Sequence, residues 1–494
     1  AIAADTGLDA GLAVAERRYR WVHRVVGQIE AGADGGSVWS SRIDRVVAHR
    51  WLGLPVFLAV MWLVLKITTD VTAPFLDWVD AVVSGPISRW ASSGVESIGL
   101  GGSWVEGLLV DGVLAGVGGV LVFVPVLSGL YLTLAVLEDT GYMARAALVM
   151  DRAMRAIGIP GKAFLPMMVG FGCTVPAIYA TRTLDTHRDR LLTGLLVPFM
   201  SCGARLPVYV LLASIFFAGS SGSVVFGMYV LGIGVAVLVG LALSRTLLRE
   251  DDPAPFVMVL PDFRLPNART VWSLVKRRTW AFIEGAGTMI LAASIIVWLL
   301  LAIPVGGGEF GDTEVGDSAF GAIAGVIAPA MEPVGLGEWE QTGALMSGFV
   351  AKEVVVSTMN QLFGGNESAG ETDQSFVSDL TEIGSGFLDA SVATLKAIPA
   401  VVGLDLADAD PGTPPAVDDR IRALFDSSSG GRGSLAALAF MVFVLLYTPC
   451  VAAVAAFRHE FGTKWMLVSV TGQLGIAWLV SMLVYQGGRL LGLG

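Results

Sequence analysis

Charge is the first scarcity. Only 15% of the 494 residues are Asp, Glu, Lys or Arg, while 54% are hydrophobic. An ordinary soluble domain carries about a quarter charged residues, so that class is excluded. Histidine is scarce too: there are four, scattered, and His459-Glu460 has no second histidine four residues on, which removes the metalloprotease pattern. No Gly-x-Ser-x-Gly elbow stands at a strand–helix turn. A phosphate-binding loop is missing as well. The nearest approach, Gly158-Ile159-Pro160-Gly161-Lys162-Ala163, has Ala156 where the first glycine belongs and no hydroxyl after Lys162. Residues 1–50 are polar and mixed in charge, without the apolar core of a signal peptide. The three cysteines, Cys173, Cys202 and Cys450, are odd in number and sit in apolar segments, which argues against a disulfide framework. Lys and Arg are wholly missing from Thr279 to Ala351, a stretch with eight acids. With a net charge of −11 and no basic face, nucleic acid is not expected as a partner.

What is present is a series of apolar runs of about 20 residues, the length that crosses a hydrocarbon core of about 30 Å. The expected fold is an all-α polytopic membrane protein in a lipid bilayer. Cytoplasmic loops are enriched in Lys and Arg, and the basic residues cluster at 17–24, 42–50, 145–162, 182–190, 245–249, 276–278 and 458–464. A span at Trp51–Thr69 therefore starts in the cytoplasm, followed over 70–107 by Trp-rich interfacial helices. Leu108–Leu137, with Pro125 as a kink, returns to the cytoplasm at Glu138-Asp139. A single crossing by 163–181 would then put Arg182, Arg188, Arg190 and Lys276-Arg277-Arg278 outside. Treating 163–181 as a re-entrant hairpin restores the rule. Spans Leu191–Phe217, Val224–Leu247 and Trp280–Ile303 follow. Residues 341–362 must by the same reasoning re-enter from the outside, ahead of an acidic outer loop with short helices at 364–433. Leu435–Phe457 and Trp465–Tyr485 complete about seven full spans plus two oppositely facing hairpins, with the N-terminus cytoplasmic and the C-terminus outside.

The hairpins share a pattern. Gly170-Phe171 matches Gly348-Phe349, and Cys202 in its Pro-rich setting matches Tyr447-Thr448-Pro449-Cys450. Each hairpin precedes a broken span with a thiol, as in an inverted repeat with two gate motifs and a site at the bilayer midplane. Cys173, Cys202 and Cys450 are the candidate metal contacts, because thiolates suit soft and borderline divalent metals whereas Mg²⁺ and Ca²⁺ want oxygen cages. Thr174, Met200, Ser201, Glu138, Asp139 and Glu353 are candidates for secondary contacts along the path. Arg205 is expected to pair with an acid or to cap carbonyls, and Lys352 to pair with Glu353 or elsewhere in the bundle, since a charge inside a bilayer faces a cavity or a partner.

These residues resemble the membrane part of the FeoB family of ferrous iron transporters. The likeness lies in Leu137-Glu-Asp-Thr-Gly-Tyr-Met-Ala-Arg145, Gly170-Phe-Gly-Cys-Thr-Val-Pro176, Pro198-Phe-Met-Ser-Cys-Gly-Ala-Arg-Leu-Pro-Val-Tyr209 and Ala351-Lys-Glu-Val354. His49-Arg-Trp-Leu-Gly-Leu-Pro55 and Tyr447-Thr-Pro-Cys450 agree as well. The resemblance implies Fe²⁺ as the transported ion, import across the cytoplasmic membrane of a prokaryote, and gate roles for the three cysteines. It also implies a GTP-binding domain, acting with GTP and Mg²⁺, that would lie in cis before residue 1 or in trans. A small cytoplasmic accessory protein and homo-oligomer formation are compatible with it. On this reading 1–50 is the end of a cytoplasmic module, 51–107 the first span with interfacial helices, and 108–250 the first gate repeat. A basic connector at 251–280 leads to the second gate repeat at 281–494. The chain itself is not expected to be an enzyme. The alternative is an ion-coupled carrier of a small organic solute such as a nucleoside.

Overall fold

The computed structural model describes residues 21–22, 25, 38–47, 49, 52–246, 262–306, 309–311, 313–352, 354–356, 358–359, 376–400 and 415–492. Nearly all of them are helical. A short helix, α1 (Val38–Val47), precedes two long ones, α2 (Gly53–Ser97) and α3 (Trp104–Asp139). The expectation of a span ending at Thr69 and separate interfacial helices differs from what forms. Instead α2 continues past Thr69 through two π-helical turns, Ile67–Val71 and Val83–Ile87. A π turn takes up an extra residue without ending the helix. Glycines then let α3 lie close against α2: a Cβ on Gly118 would come within 2.3 Å of Val83 Cγ1, and one on Gly129 within 2.5 Å of Thr72 Cγ2. Small residues at such contacts are how helices associate where no hydrophobic driving force separates protein from lipid.

Gly141, in the left-handed region at φ 82°, turns the chain from α3 into α4 (Tyr142–Ile157). Four short helices follow, α5 (Phe164–Gly172), α6 (Thr174–Ala180), α7 (His187–Leu196) and α8 (Leu206–Phe216). Next come α9 (Ser221–Arg245) and α10 (Ala268–Ala302). In the second half α11 (Ala319–Met331) and the turn to Val334 meet α12 (Trp339–Val350) at 103°. The acidic stretch without Lys or Arg, Thr279 to Ala351, thus contains a short apolar helix. Its 13 residues are too few to span alone, and its flanking acids masked it. The outer loop expected at 364–433 does carry helices, α13 (Phe376–Ala400) and α14 (Pro415–Ser429), and α13, at 25 residues, is longer than the short helices expected. α13 lies along α2, where Arg89 Nη2 meets buried Asp379 at 2.5 Å and Trp90 Nε1 donates to the same carboxylate at 2.8 Å.

α15 (Gly433–Leu446) is buried on all sides, and α16 (Val451–Leu490) bends at Gly462, whose φ of 82° breaks it into two arms. Around this centre α7, α8 and α9 pack, while Leu58, Trp62, Phe226, Leu238 and Ile296 on outer helices are exposed. So much exposed apolar surface fits a lipid-facing exterior. Among the described residues six helical runs are long and apolar enough to cross a membrane, or seven with the bent α11–α12 pair taken as one. The chain is an all-α, multi-pass membrane protein.

Candidate functional site

Two fold-backs and two broken helices meet in the interior. In the first fold-back α5 stops at Gly172, Cys173 is extended at φ −152° and ψ 131°, and α6 begins at once. Leu165 and Val169 of α5 line the same cavity as Val175 and Tyr179 of α6, so the two arms turn back on each other. In the second, α12 stops at Val350 and Ala351 is extended at φ −150° and ψ 136°. Thr358 Oγ1 then reaches back to Ser347 Oγ at 2.9 Å. The backbone makes the same break in both, three residues after the matching glycine. Those glycines do matching work. A Cβ on Gly170 would lie 3.2 Å from Met200 Cβ, and one on Gly348 would lie 2.7 Å from Tyr447 Oη. Each fold-back therefore gives up a side chain so that a residue of a broken helix can approach.

The broken helices carry the other two thiols. α7 runs through a turn at Val197–Phe199, after which Met200–Cys202 leave the helix, and Cys202 (φ −76°, ψ 160°) stands where it resumes. α15 ends at Leu446, and Cys450 (φ −57°, ψ 159°) caps the start of α16. Proline is the local cause: Pro198 and Pro449 cannot donate a backbone N–H, so carbonyls are released from the helical ladder. Such carbonyls need partners in an apolar interior. Arg205, fully buried, supplies them in the first break, with Nη1 to Pro198 O at 3.2 Å and to Met200 O at 3.0 Å, and Nη2 to Pro198 O at 3.2 Å. Of the two roles open to Arg205, it caps carbonyls. Lys352, 2% exposed, serves the second break, its Nζ 2.8 Å from Thr448 O and 3.0 Å from the centre of the Tyr447 ring.

The three cysteines are half-buried and outside any disulfide. Gly172 O lies 3.9 Å from the position of a Cβ on Gly203, so the break beside Cys173 abuts the break beside Cys202. Yet among the described residues no group of three or more Cys, His, Asp or Glu gathers closely enough to hold a metal. The sulfurs stand at neighbouring breaks, not in one cage. Thr174, next to Cys173, is 3% exposed and its Oγ1 has no hydrogen-bond partner. Met200 is buried against Gly170, and Ser201 Oγ bonds Tyr209 Oη at 3.2 Å. Glu353 lies outside the described residues.

Glu138 and Asp139 lie away from the thiols. Glu138 pairs with Arg278 of α10 at 3.0 Å, and Asp139 accepts from Arg264 at 2.5 Å and from Asn267 N at 2.7 Å. Arg145, 1% exposed, adds a tie in the same layer, with Nε 2.6 Å from Asp44 of α1 and its guanidinium 3.9 Å from the Phe263 ring centre. A cavity of about 600 Å³ opens beside Glu138, Arg278 and His459 and reaches Tyr131, Val169 and Val175. At its edge Arg182 binds Glu460 through Nε at 3.0 Å, and that carboxylate holds the guanidinium above its ordinary pKa. Sequence reasoning missed the carbonyl-binding role of Lys352 and this cavity. A buried cation near a proline break was the available signal for the first; the second needs the packing of six separate helices, α3, α4, α5, α6, α10 and α16.

The Gate family, described as nucleoside recognition, matches residues 120–216 and 283–464, one segment for each fold-back and its broken helix. The ferrous iron transport protein B C terminus matches residues 225–278, between them. The chain is 35% identical over 455 residues to the Fe(2+) transporter FeoB of Staphylococcus aureus (strain COL), covering 92% of this chain and 60% of that one. It is 35% identical over 498 residues to the Fe(2+) transporter FeoB of Legionella pneumophila, covering 99% of this chain and 64% of that one. It thus spans less than two thirds of the length of these curated relatives. No solved structure matches significantly. With a fold-back and a broken helix inside each matched segment, the chain belongs to the Gate family and, within it, to the membrane region of the FeoB family.

Proposed function

We propose that this chain forms the membrane path of a ferrous iron importer, and that Fe²⁺ passes the breaks at Cys173, Cys202 and Cys450 in turn. The observation that carries this reading is the placement of each thiol at a helix break, beside freed carbonyls and the unpartnered Thr174 Oγ1. Soft sulfur favours Fe²⁺ over Mg²⁺ and Ca²⁺. Separate contacts, where a closed cage would trap the ion, suit release as well as binding. The Fe(2+) transporter names of the relatives support the choice of metal. By the same kinship, a GTP-binding domain in cis or in trans controls the path, in the cytoplasmic membrane with the N-terminal side inward. The cavity beside Glu138 and His459 is then the cytoplasmic vestibule.

The test is Fe²⁺ uptake in cells or proteoliposomes. Cys202→Ala is expected to cut uptake sharply, and Cys173→Ala and Cys450→Ala to do the same. Uptake unchanged by Cys202→Ala would remove the thiol path.

The association of the Gate family with nucleoside recognition favours a second reading, a carrier of a small organic solute. The large cavity has the volume for one, but its lining includes neither Asn nor Gln to read a base. Competition of nucleosides with Fe²⁺ uptake would restore this reading.

A further inference from the structure

We propose that the Lys352 ammonium is a built-in substitute for a bound monovalent cation at the second break. Its Nζ sits between the Thr448 carbonyl, at 2.8 Å, and the face of Tyr447, at 3.0 Å from the ring centre. A carbonyl oxygen and an aromatic face are ligands for an ammonium- or potassium-sized cation. The site is built and not incidental. Tyr447 is held by its Oη to Leu345 O at 3.1 Å and by Phe443, ring centre to ring centre 5.3 Å. Thr448 is held in turn by Oγ1 to Val470 O at 3.4 Å. Gly348 clears the space in which the tyrosine hydroxyl stands.

The contrast with the first break gives this arrangement its meaning. Arg205 caps carbonyls five and seven residues before it, inside one continuous segment. Lys352 comes from a different element, 96 residues away from the carbonyl that it binds. Any motion that parts the second fold-back from the broken helix withdraws the cation with it. A carrier coupled to Na⁺ or K⁺ has a free ion come and go at such a carbonyl. Here the ion is tethered, so this step needs none from solution. The inference rests on reading the second break as part of the permeation path, but its test uses no iron.

The chain is purified in a fixed detergent, and its thermal midpoint is compared in choline, Na⁺, K⁺ and methylammonium chlorides at equal ionic strength. The wild-type midpoint is expected to be the same in all four. Lys352→Ala, which vacates the position, is expected to melt lower in choline and to recover several degrees in methylammonium or K⁺. A folded Lys352→Ala chain with one midpoint in every salt would overturn the proposal. So would a wild-type midpoint raised by Na⁺ or K⁺ over choline. The wild-type comparison needs no variant, so the proposal stays exposed even if Lys352→Ala does not fold. Because Fe²⁺ is not measured, a failure of the iron assignment leaves these outcomes unchanged.

Discussion

The two gate halves repeat a backbone device and differ in the chemistry that stabilises it. Cys173 and Ala351 break their fold-backs at nearly identical dihedral angles, but only the first break carries a thiol. Cys202 and Cys450 both stand where a broken helix resumes. The first half satisfies its freed carbonyls from within, through Arg205, whereas the second borrows Lys352 from its fold-back. Repetition therefore conserves the need for a buried cation at each break, not the residue or the element that supplies it. A local cap makes a rigid half. A borrowed one makes a half whose pieces are tied across elements, by Lys352 to Thr448 O and by Tyr447 Oη to Leu345 O.

The largest effect that would break this contrast is at Arg205. Arg205→Met removes charge-assisted bonds to two buried carbonyls and is expected to cost on the order of 4 kcal/mol. Lys352→Met removes the bond to the Thr448 carbonyl and the Tyr447 ring contact, together worth about 2 kcal/mol. Unfolding of both variants in the same detergent checks the order, and equal losses would erase the asymmetry. The paired glycines come next. In Gly348→Ala the new methyl would meet Val355 Cγ2 at 2.3 Å and Tyr447 Oη at 2.7 Å, an overpacking cost of about 2 kcal/mol. In Gly170→Ala the new methyl comes to 3.2 Å from Met200 Cβ and 3.4 Å from Val197 Cγ1, a milder crowding, and about 1 kcal/mol is expected. Thermal midpoints of the two variants sharpen the comparison, and a larger loss at Gly170 would reverse it. The smallest effect belongs to Glu138→Gln. Its bond to Arg278 is solvent-exposed, so stability should change by less than about 1 kcal/mol. Any change in uptake from this variant should fade as salt is raised.

Much of the site was legible because breakers stand out in apolar sequence. Gly172-Cys173, Ser201-Cys202 and Pro449-Cys450 each fall at an observed break, and Gly170 and Gly348 occupy matching positions. Legibility failed where a signal was local but the outcome depended on packing. The apolar helix at Ala319–Met331 was hidden by its acidic flanks, because charge bookkeeping weighs a region and not its short uncharged interior. Short helices were expected within 364–433, but not one as long as Phe376–Ala400, whose Trp78 and Arg89 partners lie about 300 residues earlier. Long α2 escaped because π turns cannot be distinguished in sequence from helix ends. Distances between the sulfurs were beyond any pattern, since they depend on how four separate segments dock.

Gly232 of α9 lies where a Cβ would come within 2.8 Å of Phe199 O and 3.2 Å of Leu445 Cδ1. One is a residue just before the first break, the other a residue just before the second. Both halves therefore lean on a single missing side chain, and substitutions on either side of it fall within contact distance of a shared wall. Neighbouring sites of that kind do not add independently. Substitutions beside the two breaks that press on Gly232 are therefore expected to couple, so that a change tolerated near one break shifts what is tolerated near the other.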